Sequence, residues 1–437
     1  MLSSANGDAL APTVTHAPSY YAATTNLTVV GERLQGDLEA DVCVIGGGFT
    51  GLCSALHLAR QGRRVILLEQ SLLGWGASGR NGGQIHVGLR QDQDWLENKL
   101  GVPAAKKLWN YALDARDHLD WLISNHGIDC DYRLGYIHAD HKARYSAGTA
   151  AYVKKLRNEY GYEALQYLER NEIRERIGTD TYFGGSLDAR GGHLHPLNLA
   201  LGIAKAAQNQ GARLFEHAMV TALDRDGTGW RVGLASGSVR AAKVIMACNG
   251  YLRGLSRDVE THVMPINNFI AVTEPLGKER AASLIRQGES VSDSRFVVHY
   301  YRLTPDHRLL FGGGENYRYR FPKDIGAVVR PRVLGVFPQL ADVRFEYAWG
   351  GTLSITPSRM PYIREIATGF YNASGFSGLG VVLAPYAGKI LADAIGGDDE
   401  ALNAFAAVPV PAFPGGPRLR WPTLVAAMSF YAIRDRF

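Results

Sequence analysis

Cysteine is scarce in this sequence. The four cysteines among its 437 residues are Cys43, Cys53, Cys130 and Cys248. No two form a C-x-x-C pair, which argues against a zinc site or a redox dithiol. Cys43, Cys53 and Cys248 lie in apolar stretches and read as buried thiols of a reducing compartment, so a cytoplasmic location is expected. Long hydrophobic runs are missing too. The charge-free stretch 366–388 is interrupted by Gly369, Asn372, Gly375, Ser377 and Pro385, whereas a membrane span needs about 20 mostly apolar residues. Residues 1–21 lack a basic segment followed by an apolar core, so no signal peptide is expected. Charge of one sign is not in excess. The 47 basic and 42 acidic residues leave +5, too little to argue for nucleic acid without a basic run. Disorder is excluded by an ordinary balance of 46% hydrophobic and 20% charged residues. A chain of this length holds two or three domains at about 150 residues each and buries its core without covalent staples.

Glycine, by contrast, is abundant. There are 50, and their placement is informative. Residues 1–36 read as a polar N-terminal arm. A short apolar run at 41–45 reads as a buried parallel strand. Leu52, Ala55, Leu56 and Ala59 then fall on one helical face, with Gly62 as the residue past the helix end. A second strand follows at 64–68. Residues 91–180 read as mainly helical. A helix is expected at 197–210, ended by Gly211, then short strands at 213–215, 220–223, 230–234 and 243–247. Antiparallel strands are expected over 266–350, including 296–303 and 308–312. A helix from Pro385 to about Ile395 restores α/β character. The apolar tail 421–433 reads as a docked helix or one lying on a membrane surface. Docking is favoured because its basic residues stand only at the ends.

Four glycine-rich segments carry chemistry. Gly46-Gly47-Gly48-Phe49-Thr50-Gly51 fits G-x-G-x-x-G between a strand and a helix. Gly46 permits the tight turn, Gly48 lets backbone approach a pyrophosphate, and Gly51 lets helix and strand pack closely. The helix N-terminus offers N–H groups and a positive dipole to phosphates. Glu69 ends the next strand, 18 residues beyond Gly51, where a carboxylate can accept hydrogen bonds from ribose hydroxyls and repel a 2′-phosphate. The second segment is Gly76-Ala77-Ser78-Gly79-Arg80-Asn81-Gly82-Gly83-Gln84. A nicotinamide enzyme has no need of it there, whereas an isoalloxazine ring needs backbone lying close along it. The third is the strand 241–247 ending in Cys248-Asn249-Gly250, placed beside an adenosine half. The fourth, Gly375-Phe376-Ser377-Gly378-Leu379-Gly380, can aim N–H groups at an electron-rich cofactor edge.

These segments, in this order, resemble the FAD-dependent D-amino-acid oxidase superfamily, which includes glycine and sarcosine oxidases, over nearly the full chain. A closer resemblance, to the γ-glutamylputrescine oxidase branch, is carried by Ser19-Tyr20-Tyr21-Ala22-Ala23 and by segments 76–84, 192–200, 300–304, 309–314, 358–361, 413–416 and 431–436. The resemblance implies an α/β fold in which a Rossmann-like, glutathione-reductase-type FAD domain (37–90, 185–265 and 350–437) follows the arm. An α+β substrate domain with an antiparallel sheet (91–184 and 266–349) completes it. The residues expected to touch FAD are Gly46, Gly48, Phe49, Thr50, Gly51, Glu69 and Gln70 in the first unit. Ala77, Ser78, Asn81, Gly82, Gly83 and Gln84 follow in the second segment. Val220, Cys248 and Gly250 are expected beside them, with Gly378, Leu379, Gly380 and Val381 in the last.

Departures from the family pattern sharpen the expectation. Sarcosine oxidases bond flavin to a cysteine at a place matching Gly351 here, and some dimethylglycine enzymes use a histidine where this chain has Gly79-Arg80. Non-covalent FAD is therefore expected. The lysine that holds a short substrate carboxylate in sarcosine oxidases is matched by Val382, and their oxygen-activating lysine by Leu309-Leu310. The implied reaction is oxidation of an amine C–N bond by hydride transfer to flavin N5. The imine hydrolyses to an aldehyde and an amine or ammonia, and electrons pass to O2, giving H2O2, or to another acceptor. A γ-glutamylputrescine-like amine is the first expectation. A secondary amino acid or iminodiacetate-like amine, and a dehydrogenase serving a partner or quinone, are the alternatives. On the strand around 300–302, Tyr301 is expected to face the substrate and Arg302 to meet a carboxylate. His86, after the flavin loop, is a further cavity candidate. His193 and His195 read as structural, with no metal expected.

Overall fold

Residues 42–45 are apolar at every position and must be covered from both faces. In the computed structural model, which describes residues 13–316 and 320–416, they end the strand Gly36–Ile45 in the interior of a sheet. Val65–Leu68 pairs with it in parallel on one side and Gly237–Met246 on the other. Arg213–Phe215 and Phe370–Ser374 extend the parallel array outward, and the antiparallel Tyr362–Ala367 closes one edge. A hairpin of Val220–Asp226 and Gly229–Leu234 hangs from Gly237–Met246. The helices Phe49–Arg60 and Gly380–Gly396 approach so closely that a Cβ on Gly388 would strike the Thr50 carbonyl oxygen. Gly62 (φ +78°) and Gly211 (φ +93°) follow helix ends in the left-handed region, where the missing Cβ removes the steric cost.

The second sheet is mostly antiparallel. Its order runs Phe345–Ile355, Met264–Thr273, Leu309–Asn316, Tyr300–Leu303, Ser290–Asp293, Arg133–Ala139, Gly185–His193 and Gln84–Ile85, with Leu165–Leu168 also on Gly185–His193. Helix Ile325–Val336 covers one face through a core that includes Phe269, Tyr301, Phe311, Val329 and Phe337. The opposite face looks across a cavity toward the loops of the first sheet.

Several expectations need correction. The arm is not merely polar coil: Tyr20–Thr24 is a helix capped by Ser19, with Tyr20 and Tyr21 buried. The span 91–180 holds the helices Gln93–Leu100, Val102–Asn125, Ala143–Tyr160 and Arg170–Arg176, but also the strands Arg133–Ala139 and Leu165–Leu168. Both strands are held by pairing with the distant Gly185–His193. The division of the chain assigned 185–193 and 350–355 to the FAD part. Both belong instead to strands of the second sheet, because their partners lie there. The strand expected at 296–303 begins only at Tyr300, and the helix expected from Pro385 begins at Gly380. The tail 421–433 lies outside the described residues. No described helix is long and apolar enough to cross a membrane.

Candidate active site

Ile45 pairs with Leu68 on one side and Met246 on the other. Three parallel strands thus end level, and the loops after them open at one sheet edge, where parallel α/β sheets bind ligands. A cavity of about 1210 Å³ begins there. Gly46, Gly48, Phe49, Thr50, Glu69, Gln70, Val220 and Cys248 line this end. Gly46 takes φ +110°, and a Cβ on it would lie 2.7 Å from the Ala247 oxygen. Gly51 stands behind the wall, where a Cβ would collide with the Gly46 carbonyl, so its part is to let helix and strand pack. Ser78 Oγ accepts from Phe49 N at 2.9 Å and stands 2.8 Å from where a Gly48 Cβ would be.

Glu69 is buried. Its carboxylate accepts from Gly47 N at 2.7 Å and Ser71 N at 2.9 Å. Burial pushes its pKa up to about 7, with Glu216 adding to the rise and the backbone donors opposing it. The loop is therefore pre-formed by Glu69 and Ser78. Its backbone donors do not exhaust a carboxylate's lone pairs, so hydrogen bonds from hydroxyl groups can still be accepted. Cys248 is a thiol whose pKa burial raises to about 12.

The middle of the cavity is walled by Ala77, Ser78, Asn81, Gly82 and Gln84 on one side. Gly351, Gly378, Leu379, Gly380 and Val381 also contribute. Asn81 fastens its own loop, donating to the Ala77 and Ser78 carbonyls and accepting from Gly83 N. Gly83 and Gly250 do not line the cavity. A Cβ on Gly83 (φ +72°) would enter the Leu194 oxygen, and one on Gly250 would meet the Leu353 oxygen at 3.1 Å. Gln84 Nε2 donates to Val291 O at 2.8 Å, tying the loop to the second sheet.

The far end is built by the second sheet. Tyr136, His138, Asn268, Ser292, Tyr300 and Glu315 face inward, together with His86. Strand alternation decides the tyrosines. Tyr300 turns to the cavity, its hydroxyl donating to Asn268 Oδ1. Tyr301 does not face the substrate space as expected. It points to the helix-covered face, stacked on Phe311 at 5.3 Å, with its hydroxyl on Tyr182 at 3.1 Å. The reason is that this face carries the second sheet's apolar core. Arg302 also misses the cavity. It is buried, donating to Gly82 O (3.0 Å), Leu194 O (3.1 Å), Leu303 O (3.3 Å) and Tyr21 Oη (3.3 Å). It braces the glycine loop instead of meeting a carboxylate. His86 does line the cavity, edge-on to Tyr136 at 4.3 Å. Burial, then the Arg90 cation, push its pKa down to about 3. His195 caps the helix Pro196–Asn209, accepting from Asn198 N. His193 faces Gly288 O.

Sequence reasoning missed Tyr136, His138, Arg90 and Arg359 in the wall. One signal was present for Tyr300. Gly82 and Gly312 both stand where a Cβ would run into its ring, so glycines in two separate segments make room for one aromatic.

The cavity fits a long flavin nucleotide. It has the glycine turn at Gly46 at one end and helix Phe49–Arg60 aimed at its phosphate region. The sequence model of the family described as "FAD dependent oxidoreductase" (DAO) matches residues 41–394. The chain is 39% identical over 419 residues to "Probable oxidoreductase OrdL" of Rhizobium meliloti, covering 96% of this chain and 97% of that one. It is 40% identical over 422 residues to "Gamma-glutamylputrescine oxidoreductase" of Escherichia coli, covering 96% and 99%. Among solved structures, glycine oxidase from Geobacillus kaustophilus superposes with a TM-score of 0.70 at 21% identity, covering 86% of this chain and all of that one. With loop, cavity and sequence in agreement, the chain belongs to the DAO family of FAD-dependent oxidoreductases, enzymes of the amine-oxidase type acting on C–N groups.

Proposed function

We propose that this enzyme oxidises the terminal amine of a γ-glutamylputrescine-like substrate to an aldehyde and ammonia, passing the electrons to O2. The observation that carries this reading is 40% identity with a γ-glutamylputrescine oxidoreductase across nearly both whole chains. Val382, where sarcosine oxidases keep a lysine for a short carboxylate, agrees with it, since Val382 is buried and does not line the cavity. Bound FAD would supply the acceptor for hydride from the carbon bearing the amine. The chain's own residues have other tasks. Gly46, Gly48 and Thr50 would hold the phosphates, and Glu69 would accept from the ribose. The segment from Ala77 to Gln84 would hold the ring system, together with Gly378 to Val381. Tyr300, packed against Gly82 of that segment, walls the reacting end, while Tyr136 and His86 line the rest of the substrate space. Burial in such a wall disfavours an ammonium and so favours the neutral amine that gives up hydride. The flavin is held without a covalent bond. Among the described residues Cys248 is the cysteine that lines the cavity, and burial keeps it a thiol.

A substrate panel tests the reading. γ-Glutamylputrescine should bleach the flavin faster, without oxygen, than equal concentrations of glycine, sarcosine or iminodiacetate. Peroxide should appear on aeration, and acid precipitation should leave the flavin in the supernatant. Faster bleaching by any of the three amino acids overturns the substrate. Flavin retained in the pellet overturns non-covalent binding.

A further inference from the structure

With Arg302 committed to backbone carbonyls, a distant substrate carboxylate needs another cation. Two arginines line the cavity at the second-sheet end, Arg90 and Arg359. Arg90 follows the loop that carries His86. Arg90 is exposed and lines the cavity. It makes no hydrogen bond or ion pair with the described residues. Tyr136 and Glu315, which line the same cavity, favour its charge, and with no hydrogen bond fixing the guanidinium it is available to an anion that enters the cavity. Arg359 comes from the turn after Phe345–Ile355, at φ +62°. That left-handed conformation is unfavourable for a side chain with a Cβ and tends to survive where function demands it. Its guanidinium lies over the Phe296 ring at 5.2 Å. The neighbours of the two arginines are tied together, Gln91 Nε2 donating to Ser358 O at 2.8 Å. This bond ties together the two loops from which the arginines extend. Their proximity registers electrostatically: after burial, Arg359 is the next cause depressing the Arg90 pKa, against Tyr136 and Glu315.

We propose that Arg90 and Arg359 together clamp the carboxylate at the non-reacting end of the substrate, and so select acyl-diamines that carry a distal carboxylate. The assignment rests on the amine-oxidising reading above. Two guanidinium groups converging on one oxyanion form the charge-assisted arrangement best suited to a carboxylate. The anion would relieve the repulsion between them.

The test uses FAD-loaded enzyme and a ligand that cannot be oxidised, N-butylglutaramate, which keeps the distal carboxylate but has no amine. Its binding is read as a change in the visible flavin spectrum. Wild type should bind it, and Arg90→Gln and Arg359→Gln should each weaken binding about 10- to 100-fold, as expected for loss of a charged hydrogen bond. N-butylpentanamide, the uncharged counterpart, should bind all three equally. Arg90→Lys, which keeps the charge, should regain part of the affinity. In turnover, the wild-type preference for glutarylputrescine over pentanoylputrescine should collapse in both Gln variants through a raised KM for glutarylputrescine. Flavin content and Tm equal to wild type exclude misfolding. Carboxylate binding that is absent in wild type, or intact in both Gln variants, overturns the clamp whatever the turnover result. Clamp behaviour without any amine oxidation overturns the proposed substrate and leaves the carboxylate site standing.

Discussion

At Arg302 the guanidinium donates to the carbonyls of Gly82, Leu194 and Leu303 and to the Tyr21 hydroxyl. Those acceptors belong to the glycine loop, the entry of helix Pro196–Asn209, its own strand and the N-terminal arm. Removing the side chain leaves buried carbonyl groups unsatisfied, at about 1–3 kcal/mol each where no water replaces it. Arg302→Ala should therefore destabilise the fold by on the order of 3 kcal/mol or more, seen as a marked fall in Tm, and weaken flavin retention by loosening Gly82. It should leave the preference between carboxylated and uncarboxylated substrates as in wild type. Thermal unfolding and flavin release measure the first two effects, and paired kcat/KM values the third. A variant of normal stability that has lost only carboxylate preference would restore Arg302 to the substrate site.

Short elements whose chemistry is local were legible from the sequence, and elements made by distant partners were not. The turn at Gly46, the packing of Gly51 and the helix stop at Gly62 follow from what one strand and one helix require of their own residues. The strand Leu165–Leu168 carries no such local demand. It exists because Gly185–His193 pairs with it. Which of Tyr300 and Tyr301 meets the cavity is likewise set by helix Ile325–Val336, which covers the other face of their sheet. Arg90 stands in a charged stretch, and only the fold shows that it lines the same cavity as Tyr136 and Glu315. The space kept for Tyr300 gives a test at this scale. Gly312→Ala sets a methyl into the Tyr300 ring and should cost about 1–3 kcal/mol as overpacking, with slower turnover as the ring shifts. Gly335→Ala, inside helix Ile325–Val336 with nothing within 4 Å of the new methyl, should instead stabilise by about 0.5–1 kcal/mol. Thermal unfolding of the pair decides, and equal Tm changes would mean that the ring moves aside freely.

Across the whole molecule, the sheets and the arm are sealed around buried histidines. Tyr20 donates to Asp306 at 2.7 Å, Trp75 Nε1 to Thr13 Oγ1 at 2.6 Å, and Thr25 to Asn198 at 2.8 Å, so the arm closes over both halves. Burial lowers the pKa of His16 to about 4, and of His86, His118, His193, His195 and His299 to about 3. It lowers that of His57 to about 2. His57 and His118 face each other through Nε2 at 2.8 Å, a contact that needs one nitrogen to donate and the other to accept, so a second proton breaks it. An unfolded histidine takes its proton near about pH 6.5. Between there and pH 4 the unfolded chain binds protons that the folded chain refuses, so stability rises with pH and falls on acidification. Buried acids act in the opposite sense. Burial raises Glu69 to about 7 and Asp293 to about 6, so the folded chain holds their protons while the unfolded chain has released them. Near pH 7 Glu69 offsets the first histidines to titrate. Nearer pH 5 the more numerous histidines outweigh the acids, each net proton contributing about 1.4 kcal/mol per pH unit. The Tm should thus change little just below neutrality and then drop steeply toward pH 5, at constant ionic strength. A Tm that stays level or rises between pH 6 and 5 would show that the histidines become protonated inside the intact fold.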